Sequence, residues 1–269
     1  MNLSETIFSQ DRLALFGYGL FETLLITEHG PLFPDLHWQR MKKGADFLGL
    51  TLPIETNWLA QVQKFIVQAP NQVPYALRVT LSGGAPQAHL PSQLLFHARI
   101  IPYTPAQYTM GIRLHLLPTP RNERSPLTAI KSTNYLENIL AKETAARHGA
   151  EEGLWLNSQG YISEGTMSNL FFIKNGTLFT PSLSSGCLPG TRRQLILKVA
   201  RSLQIRTEEG LYPLSELLLA DEIFMTNALM GIMPVRQIDD FSFSFGSVDS
   251  TTSSLRQLEV GYYDLIDKV

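Results

Sequence analysis

The sequence predicts a two-domain α/β protein, and three observations support this prediction. The chain has 269 residues, which exceeds the usual size of a domain with one core, although a single large domain of this length is possible. Runs with strand and helix periodicity alternate along it. A stretch rich in proline and charge, Pro118–Pro126, is typical of a domain boundary. We therefore expect an N-terminal domain over residues 1–117, an interdomain linker over 118–128 and a C-terminal domain over 129–269.

The composition favours a protein that acts on small molecules. Hydrophobic residues make up 44% and charged residues 17%, and the formal net charge is −2, which gives no charge excess for nucleic-acid binding. Cys187 is the only cysteine, and the six histidines show no ligand spacing, so we expect neither a disulfide nor a metal site. The sequence shows no secretory signal and no apolar run of about 18 residues, so we expect a soluble cytoplasmic protein.

Strand and helix patterns can be assigned along the chain. Glycines around Tyr18 indicate a close backbone approach at the entry to the first strand, and Asp35 is suited to cap the helix that follows. In the second half, Leu136, Ile139 and Leu140 predict the apolar stripe of a helix that extends through Arg147. The remaining predictions are strands over 20–27, 75–81, 94–101, 112–117, 221–226 and 232–235, helices over 54–68 and 248–266, and hairpins over 153–164 and 169–180, the latter across Asn175-Gly176.

Lys131 is the candidate catalytic residue, because it lies at a strand-to-helix junction directly before the helix that Asn134 is suited to cap. A lysine held in a cleft loses solvation, which lowers its pKa and makes the neutral amine available for Schiff-base chemistry. A lone lysine is more often a solvated surface residue, so the prediction depends on what surrounds it.

Three further features complement such a lysine in binding pyridoxal 5'-phosphate. Glu164 ends a predicted strand and offers a carboxylate to the pyridine nitrogen. The helix that opens at Gly190 and Thr191 presents backbone N–H groups to a phosphate, and Arg40 adds a cation. Alone, this combination is a weak signal.

Six motifs resemble those of the fold-type IV pyridoxal-phosphate enzymes, which include branched-chain aminotransferases, D-amino acid transaminases and aminodeoxychorismate lyases. The resemblance implies a two-domain, D-amino acid aminotransferase-like fold with the cofactor cleft between the domains, and a homodimer that acts on a small molecule. The motifs occur in the family's order and span most of the chain: Gly17-Tyr-Gly-Leu-Phe-Glu-Thr23, His37-Trp-Gln-Arg-Met41, Ile130-Lys-Ser-Thr-Asn-Tyr-Leu136, Ser163-Glu-Gly-Thr-Met-Ser-Asn-Leu170, Pro189-Gly-Thr-Arg192 and Met225-Thr-Asn-Ala-Leu-Met-Gly-Ile-Met-Pro-Val235.

The resemblance also implies a role for each matching position. Lys131 would bind the cofactor aldehyde and shuttle protons, Glu164 would pair with the pyridine nitrogen, and Arg40 would bind the phosphate. Tyr135 would donate a hydrogen bond to the ring oxygen. Further phosphate contacts would come from Gly190, Thr191, Asn227 and Ala228, with main-chain groups serving at Ala228, where branched-chain enzymes usually carry a threonine.

Among family members the resemblance favours 4-amino-4-deoxychorismate lyase, a carbon-oxygen lyase that releases pyruvate and 4-aminobenzoate on the folate route. The segment 227–235 is similar to that of lyases. The loop Pro86-Gln-Ala-His89 lacks the arginine with which D-amino acid transaminases bind the substrate carboxylate, although it also lacks the Arg-Gly-Tyr of some lyases. A D-amino acid or branched-chain transaminase, or a non-catalytic binding protein on the same fold, remains an alternative.

Overall fold

The computed structural model describes residues 9–68, 72–243 and 253–267, and the chain divides into two compact units. Unit 1 comprises residues 1–102 and 130–135, and unit 2 comprises residues 103–129 and 136–269. This division differs from the boundaries expected from the sequence. The strand over 112–116, expected in the first domain, pairs with strands of unit 2, and the segment 130–135 belongs to unit 1.

Unit 1 contains a four-stranded antiparallel sheet in the order β2-β1-β3-β4. Two long helices pack on one of its faces. Its elements are α1 (Arg12–Phe16), β1 (Leu20–Thr27), β2 (Gly30–Pro31), α2 (Pro34–Leu48), α3 (Glu55–Gln68), β3 (Tyr75–Leu81), a 3₁₀ turn (Pro86–Ala88) and β4 (Leu94–Arg99).

The core of unit 1 follows from strand alternation. Every second residue of β1 and β3 points towards the helices, so Leu24 of β1 lies opposite Leu77 of β3 on the covered face. Helix α2 approaches β1 closely at Gly44. A Cβ at this position would lie 2.9 Å from a methyl carbon of Leu20. The expectation that Asp35 caps α2 is wrong: Phe33, in the left-handed region at φ 51°, is the N-cap, and Asp35 lies in the first turn.

The alternation of β1 also directs a charged residue, Glu22, towards α2. Its carboxylate is fully buried and accepts hydrogen bonds from Arg40 Nε at 2.8 Å, Arg40 Nη2 at 2.5 Å and His37 Nδ1 at 2.6 Å. Burial alone would raise the pKa of Glu22, but the charge and hydrogen bonds of Arg40, with those of His37, lower it to about 2. Glu22 is therefore ionised at neutral pH within the core of unit 1.

Unit 2 contains a sheet with the strand order β10-β9-β8-β11-β12-β5-β6-β7, and β13 pairs with β12. The two predicted hairpins are confirmed, and Asn175 and Gly176 both have positive φ angles, as the tight turn requires. The elements are α4 (Pro105–Met110), β5 (Ile112–Leu116), a 3₁₀ turn (Pro126–Ala129), α5 (Leu136–Arg147), β6 (Glu152–Leu156), β7 (Ile162–Gly165), β8 (Asn169–Lys174), β9 (Thr177–Pro181), a 3₁₀ turn (Leu183–Ser185), α6 (Thr191–Ser202), β10 (Thr207–Gly210), α7 (Leu214–Leu217), β11 (Glu222–Asn227), β12 (Gly231–Ile238), β13 (Phe241–Ser242) and α8 (Ser254–Ile266).

Helix α5 has the predicted extent but buries a different face. The three residues of its predicted apolar stripe are exposed in unit 2: Leu136 at 70%, Ile139 at 40% and Leu140 at 53%. Small residues of the helix are buried instead, and Ala141 packs with Trp155. The prediction of the buried face was wrong because the large indole of Trp155 packs against the small side chains of α5. The face with alanines is therefore buried, and the face with leucines is exposed.

The closing helix was expected over 248–266, and it is observed over Ser254–Ile266, while residues 244–252 lie outside the described part. Within the described ranges, no helix combines the length and apolar character needed to cross a membrane.

The buried carboxylate predicts a pH dependence of stability. A group whose pKa is lowered in the folded state contributes stability above its unfolded pKa and loses it as the pH falls towards the folded value. We expect the free energy of unfolding to fall between pH 4.5 and about 2 by on the order of 3 kcal/mol through Glu22. Glu22→Gln should be less stable at neutral pH but flatter over this window in urea titrations.

Glu28→Gln, which replaces an exposed carboxylate after β1, is the matched control and should retain the parent's pH dependence. Parallel curves for Glu22→Gln and the parent would show that the pKa of Glu22 is not lowered.

Candidate active site

The position of Lys131 is fixed by pairing between the segment 130–133 and β1. An antiparallel bridge joins Leu20 to Ser132, and Phe21 N donates to Lys131 O at 2.9 Å. Because side chains alternate along an extended chain, Ile130 enters the core of unit 1 whereas Lys131 lies on the opposite face with Phe21.

Two cations and two aromatic rings form a cluster on that face of unit 1. Lys131 Nζ lies 4.5 Å from the Phe21 ring centroid and 5.4 Å from that of Tyr135, and the two rings meet edge to face at 5.0 Å. The guanidinium of Arg78 lies 3.7 Å from the Phe21 centroid. The structure therefore brings the predicted residues Lys131 and Tyr135 together, and adds Arg78 to them.

Arg78 was not identified from the sequence. It occupies the centre of β3, where the neighbouring residues are buried, and a lone charge in such a strand was the available signal. Burial lowers the pKa of Arg78, and the charge of Arg99 acts in the same direction, while Tyr135 opposes them. An anionic ligand would therefore be stabilised beside this guanidinium.

In unit 2, Glu164 lies at the end of β7 with both carboxylate oxygens held. Its side chain is buried, Oε2 accepts from Leu188 N at 2.8 Å, and Oε1 lies 3.3 Å from Arg121 Nη2. Arg121 also lies over the Trp155 ring, at 4.7 Å, and donates to Glu137 at 2.8 Å. Arg121, which lies in the predicted linker, therefore helps to fix the orientation of the Glu164 carboxylate.

A second buried acid holds the loop that follows Glu164. Glu152 is 1% exposed; it accepts from Thr166 N at 3.0 Å and from the Thr166 hydroxyl, and Ser168 Oγ donates to it at 3.2 Å. Asn138 Nδ2 donates to Thr166 O at 2.7 Å from α5. These contacts keep the loop rigid beside Glu164.

The N-terminus of α6 approaches the same part of unit 2. A Cβ at Gly190 would lie 1.9 Å from Asn169 Oδ1, so a larger residue at this N-cap would displace the Asn169 side chain. Asn169 Nδ2 in turn donates to Leu188 O at 2.9 Å. Thr191 is buried as the first residue of the helix, whose leading N–H groups form a site of positive potential.

The turn after β11 joins this arrangement. Arg192 Nη2 donates to Ala228 O at 3.2 Å, and Asn227 Nδ2 donates to Met167 O at 3.2 Å and to Tyr103 Oη at 2.8 Å. Asn227 Oδ1 accepts from the backbone N–H groups of residues 229 and 230, each at 2.9 Å. All four hydrogen-bonding positions of the Asn227 side chain are therefore used, and a ligand would meet only backbone groups there.

The residues of each unit fit the predicted cofactor chemically. Unit 2 combines a buried, fixed carboxylate with a glycine-capped helix N-terminus, which match a protonated pyridine nitrogen and a phosphate. Unit 1 supplies an amine beside two aromatic rings, and its Arg40 lies with Glu22 on the helix-covered side of the sheet. Among the residues that the structure describes, no group of three or more histidine, cysteine, aspartate or glutamate side chains could hold a metal ion.

Comparison with known proteins places this chain among enzymes of related chemistry. It is 26% identical over 246 residues to the aminodeoxychorismate lyase of Bacillus subtilis, covering 89% of this chain and 84% of that enzyme. It is 40% identical over 138 residues to the branched-chain-amino-acid aminotransferase of Escherichia coli, covering 51% of this chain but only 45% of that enzyme, so the match spans about half of each protein.

The fold agrees with these similarities. The crystal structure of 4-amino-4-deoxychorismate lyase from Pseudomonas aeruginosa superposes with a TM-score of 0.84 at 27% identity, over 96% of this chain and 94% of that one. The predicted two-domain fold is therefore confirmed, and pyridoxal 5'-phosphate is the cofactor of this class of enzyme. The family model for class IV amino-transferases matches residues 19–238, and the chain belongs to that family.

Proposed function

We propose that the protein is a pyridoxal 5'-phosphate-dependent 4-amino-4-deoxychorismate lyase, which forms 4-aminobenzoate and pyruvate for folate synthesis. The observation that carries the choice against a D-amino acid transaminase is the loop at residues 86–89. Gln87 is exposed on a 3₁₀ turn where D-amino acid transaminases would present an arginine to the substrate carboxylate. Similarity to lyases extends over most of the chain, as does similarity to branched-chain aminotransferases, so it supports the proposal without separating these two activities.

The proposed roles follow from the contacts in each unit. When bound, pyridoxal 5'-phosphate supplies an aldehyde for the substrate amine and a ring that accepts electrons. Lys131 Nζ would remove the ring proton of the substrate and return a proton as pyruvate leaves. Glu164, oriented by Arg121 and the N–H of Leu188, would keep a proton on the pyridine nitrogen.

The phosphate would be bound by the N-terminus of α6, by the backbone at Asn227 and Ala228, and by Arg40. Tyr135 would donate its hydroxyl proton to the ring oxygen. The substrate is a dicarboxylate, and Arg78, on the Lys131 face of unit 1, is the residue we propose for one of its carboxylates.

A branched-chain aminotransferase is the second candidate, because the 40% identity with the E. coli enzyme is higher than the identity with the lyase. Against it, the residue immediately before Asn169 is a serine, whereas those enzymes usually carry an acid there. A D-amino acid transaminase is disfavoured by Gln87.

We expect borohydride reduction of the cofactor-loaded protein to attach a phosphopyridoxyl group to Lys131, because its amine faces two aromatic rings and is held by the backbone pairing of residues 130–133. Peptide mass spectrometry would locate the label. Lys142→Ala, which removes a lysine of unit 2, should be labelled like the parent, whereas Lys131→Ala should not be labelled. A label on a different lysine would contradict the assignment.

We expect the purified protein to release 4-aminobenzoate and pyruvate from aminodeoxychorismate without any added keto acid. A lyase regenerates its aldehyde form in each cycle, whereas a transaminase stops after one half-reaction. Chromatography of the products and the absorbance of the bound cofactor measure both. Lys131→Ala is the matched inactive control.

The opposite pattern would identify a transaminase. If L-leucine or D-alanine rapidly converted the bound aldehyde to the pyridoxamine form, 2-oxoglutarate restored it, and no 4-aminobenzoate appeared, the lyase assignment would be wrong. Conversion by L-leucine would select the branched-chain enzyme, and conversion by D-alanine the D-specific one.

We also propose that the protein acts as a homodimer in the cytoplasm. The exposed leucines and isoleucine of α5 form an apolar surface on unit 2 that a second copy could cover, and the single cysteine, Cys187, is a buried thiol that suits a reducing compartment.

The dimer proposal predicts the effect of a charge on α5. Leu140→Glu should lower the mass measured by light scattering from that of two chains towards one, because a carboxylate would be buried without a partner. Leu219→Glu, at an exposed position elsewhere in unit 2, should not change it. A parent protein that is already monomeric at micromolar concentration would refute the proposal.

A further inference from the structure

We propose that Glu22 and His37 are positioning residues that hold the guanidinium of Arg40 in the orientation in which it binds the cofactor phosphate. The inference rests on the phosphate-binding role given to Arg40 under the proposed function. It adds two buried residues that would act on the cofactor only through Arg40.

The hydrogen bonds define one orientation of the guanidinium. Arg40 Nε donates to Glu22 Oε1 at 2.8 Å and Nη2 donates to Oε2 at 2.5 Å, so two parallel bonds fix the plane of the group. Because the guanidinium is planar, its Nη1 side then faces away from Glu22. A single bond would leave the group free to rotate, whereas this bidentate pair does not.

His37 completes the arrangement from one turn earlier on α2. Its Nδ1 lies 2.6 Å from Glu22 Oε2, the oxygen that also accepts from Arg40. Residues three apart on a helix share a face, so both side chains reach the same carboxylate. Gly44 lies farther along this face and allows α2 to approach β1 closely.

The side chains of Glu22, His37 and Arg40 differ in their exposure to solvent. The side chains of Glu22 and His37 are fully buried, whereas 8% of the Arg40 side chain is exposed. A buried ion pair contributes little net stability to a core, because apolar residues of the same volume would stabilise it as well or better. The arrangement is more readily explained if Arg40, the one of the three whose side chain is partly accessible, also meets an anion.

The register of unit 1 relates this pair to Lys131. Extending the antiparallel pairing from the Leu20–Ser132 bridge sets Ile130 opposite Glu22 and Lys131 opposite Phe21. Arg40 therefore holds the β1 residue that lies opposite Ile130, whereas Lys131 lies opposite the neighbouring residue of β1.

The test compares the affinity of the apoprotein for pyridoxal 5'-phosphate with its affinity for pyridoxal, which lacks the phosphate. We expect Glu22→Gln to weaken binding of the phosphorylated form by about tenfold or more, the scale of one charged hydrogen bond, and to leave binding of pyridoxal unchanged. Spectroscopic titration measures both. Glu222→Gln, which removes a buried carboxylate from unit 2, should retain the parent's ratio of affinities.

Two further variants separate the possible failures. Arg40→Ala should lose the same preference for the phosphate, and adding Glu22→Gln to it should cause no further loss if Glu22 acts through Arg40. His37→Leu should cause a smaller loss in the same direction, and it gives a second test if Glu22→Gln does not fold.

Equal weakening of both ligands by Glu22→Gln, or an unchanged preference in a folded Glu22→Gln variant, would overturn the positioning role while leaving the proposed function intact. If Arg40→Ala kept the parent's preference for the phosphate, the role of Arg40 in the proposed function would fail as well.

Discussion

The pairing of residues 130–133 with β1 is the constraint on which the site in unit 1 depends. It directs Ile130 into the core and Lys131 to the opposite face, and a slip of one residue would exchange the two. The close approach also explains Gly19, where a Cβ would lie 2.7 Å from Leu81 O. Stability of the core and presentation of the amine are therefore set by the same register.

Much of the fold could be predicted because its signals are local. The bounds of β1 and β3 follow from their apolar composition, and the hairpin between β8 and β9 follows from Asn175-Gly176, which favours the positive φ angles of a tight turn. The buried face of α5 could not be predicted in this way. Periodicity shows that a helix has an apolar side, but whether Leu140 or Ala141 is buried depends on the shape of Trp155, which only the folded chain brings near.

The residues of the candidate site could likewise be predicted only in part from the sequence. Lys131, Glu164 and Gly190 were predicted from the motifs in which they lie, and their roles in binding the cofactor stay predictions. The residues that hold them were missed, because Arg121 and Glu152 act on positions distant in sequence and have no motif of their own. Pro118–Pro126 resembles a linker by composition, yet Arg121 from this stretch pairs beside β6 and contacts Glu164.

Arg78 bears on substrate specificity through its position on the Lys131 face of unit 1. Gln87 disfavours a D-amino acid transaminase, because such an enzyme would bind the substrate carboxylate with an arginine of this loop. The half-buried guanidinium of Arg78, on the Lys131 face of the sheet, is the group we propose for a substrate carboxylate, and it would serve a lyase or a branched-chain transaminase equally. The base, the carboxylate at Glu164 and the helix N-terminus would serve either reaction. Under the proposed roles, the choice between the two reactions would depend on how the face around Phe21 and Arg78 orients the bond to be broken.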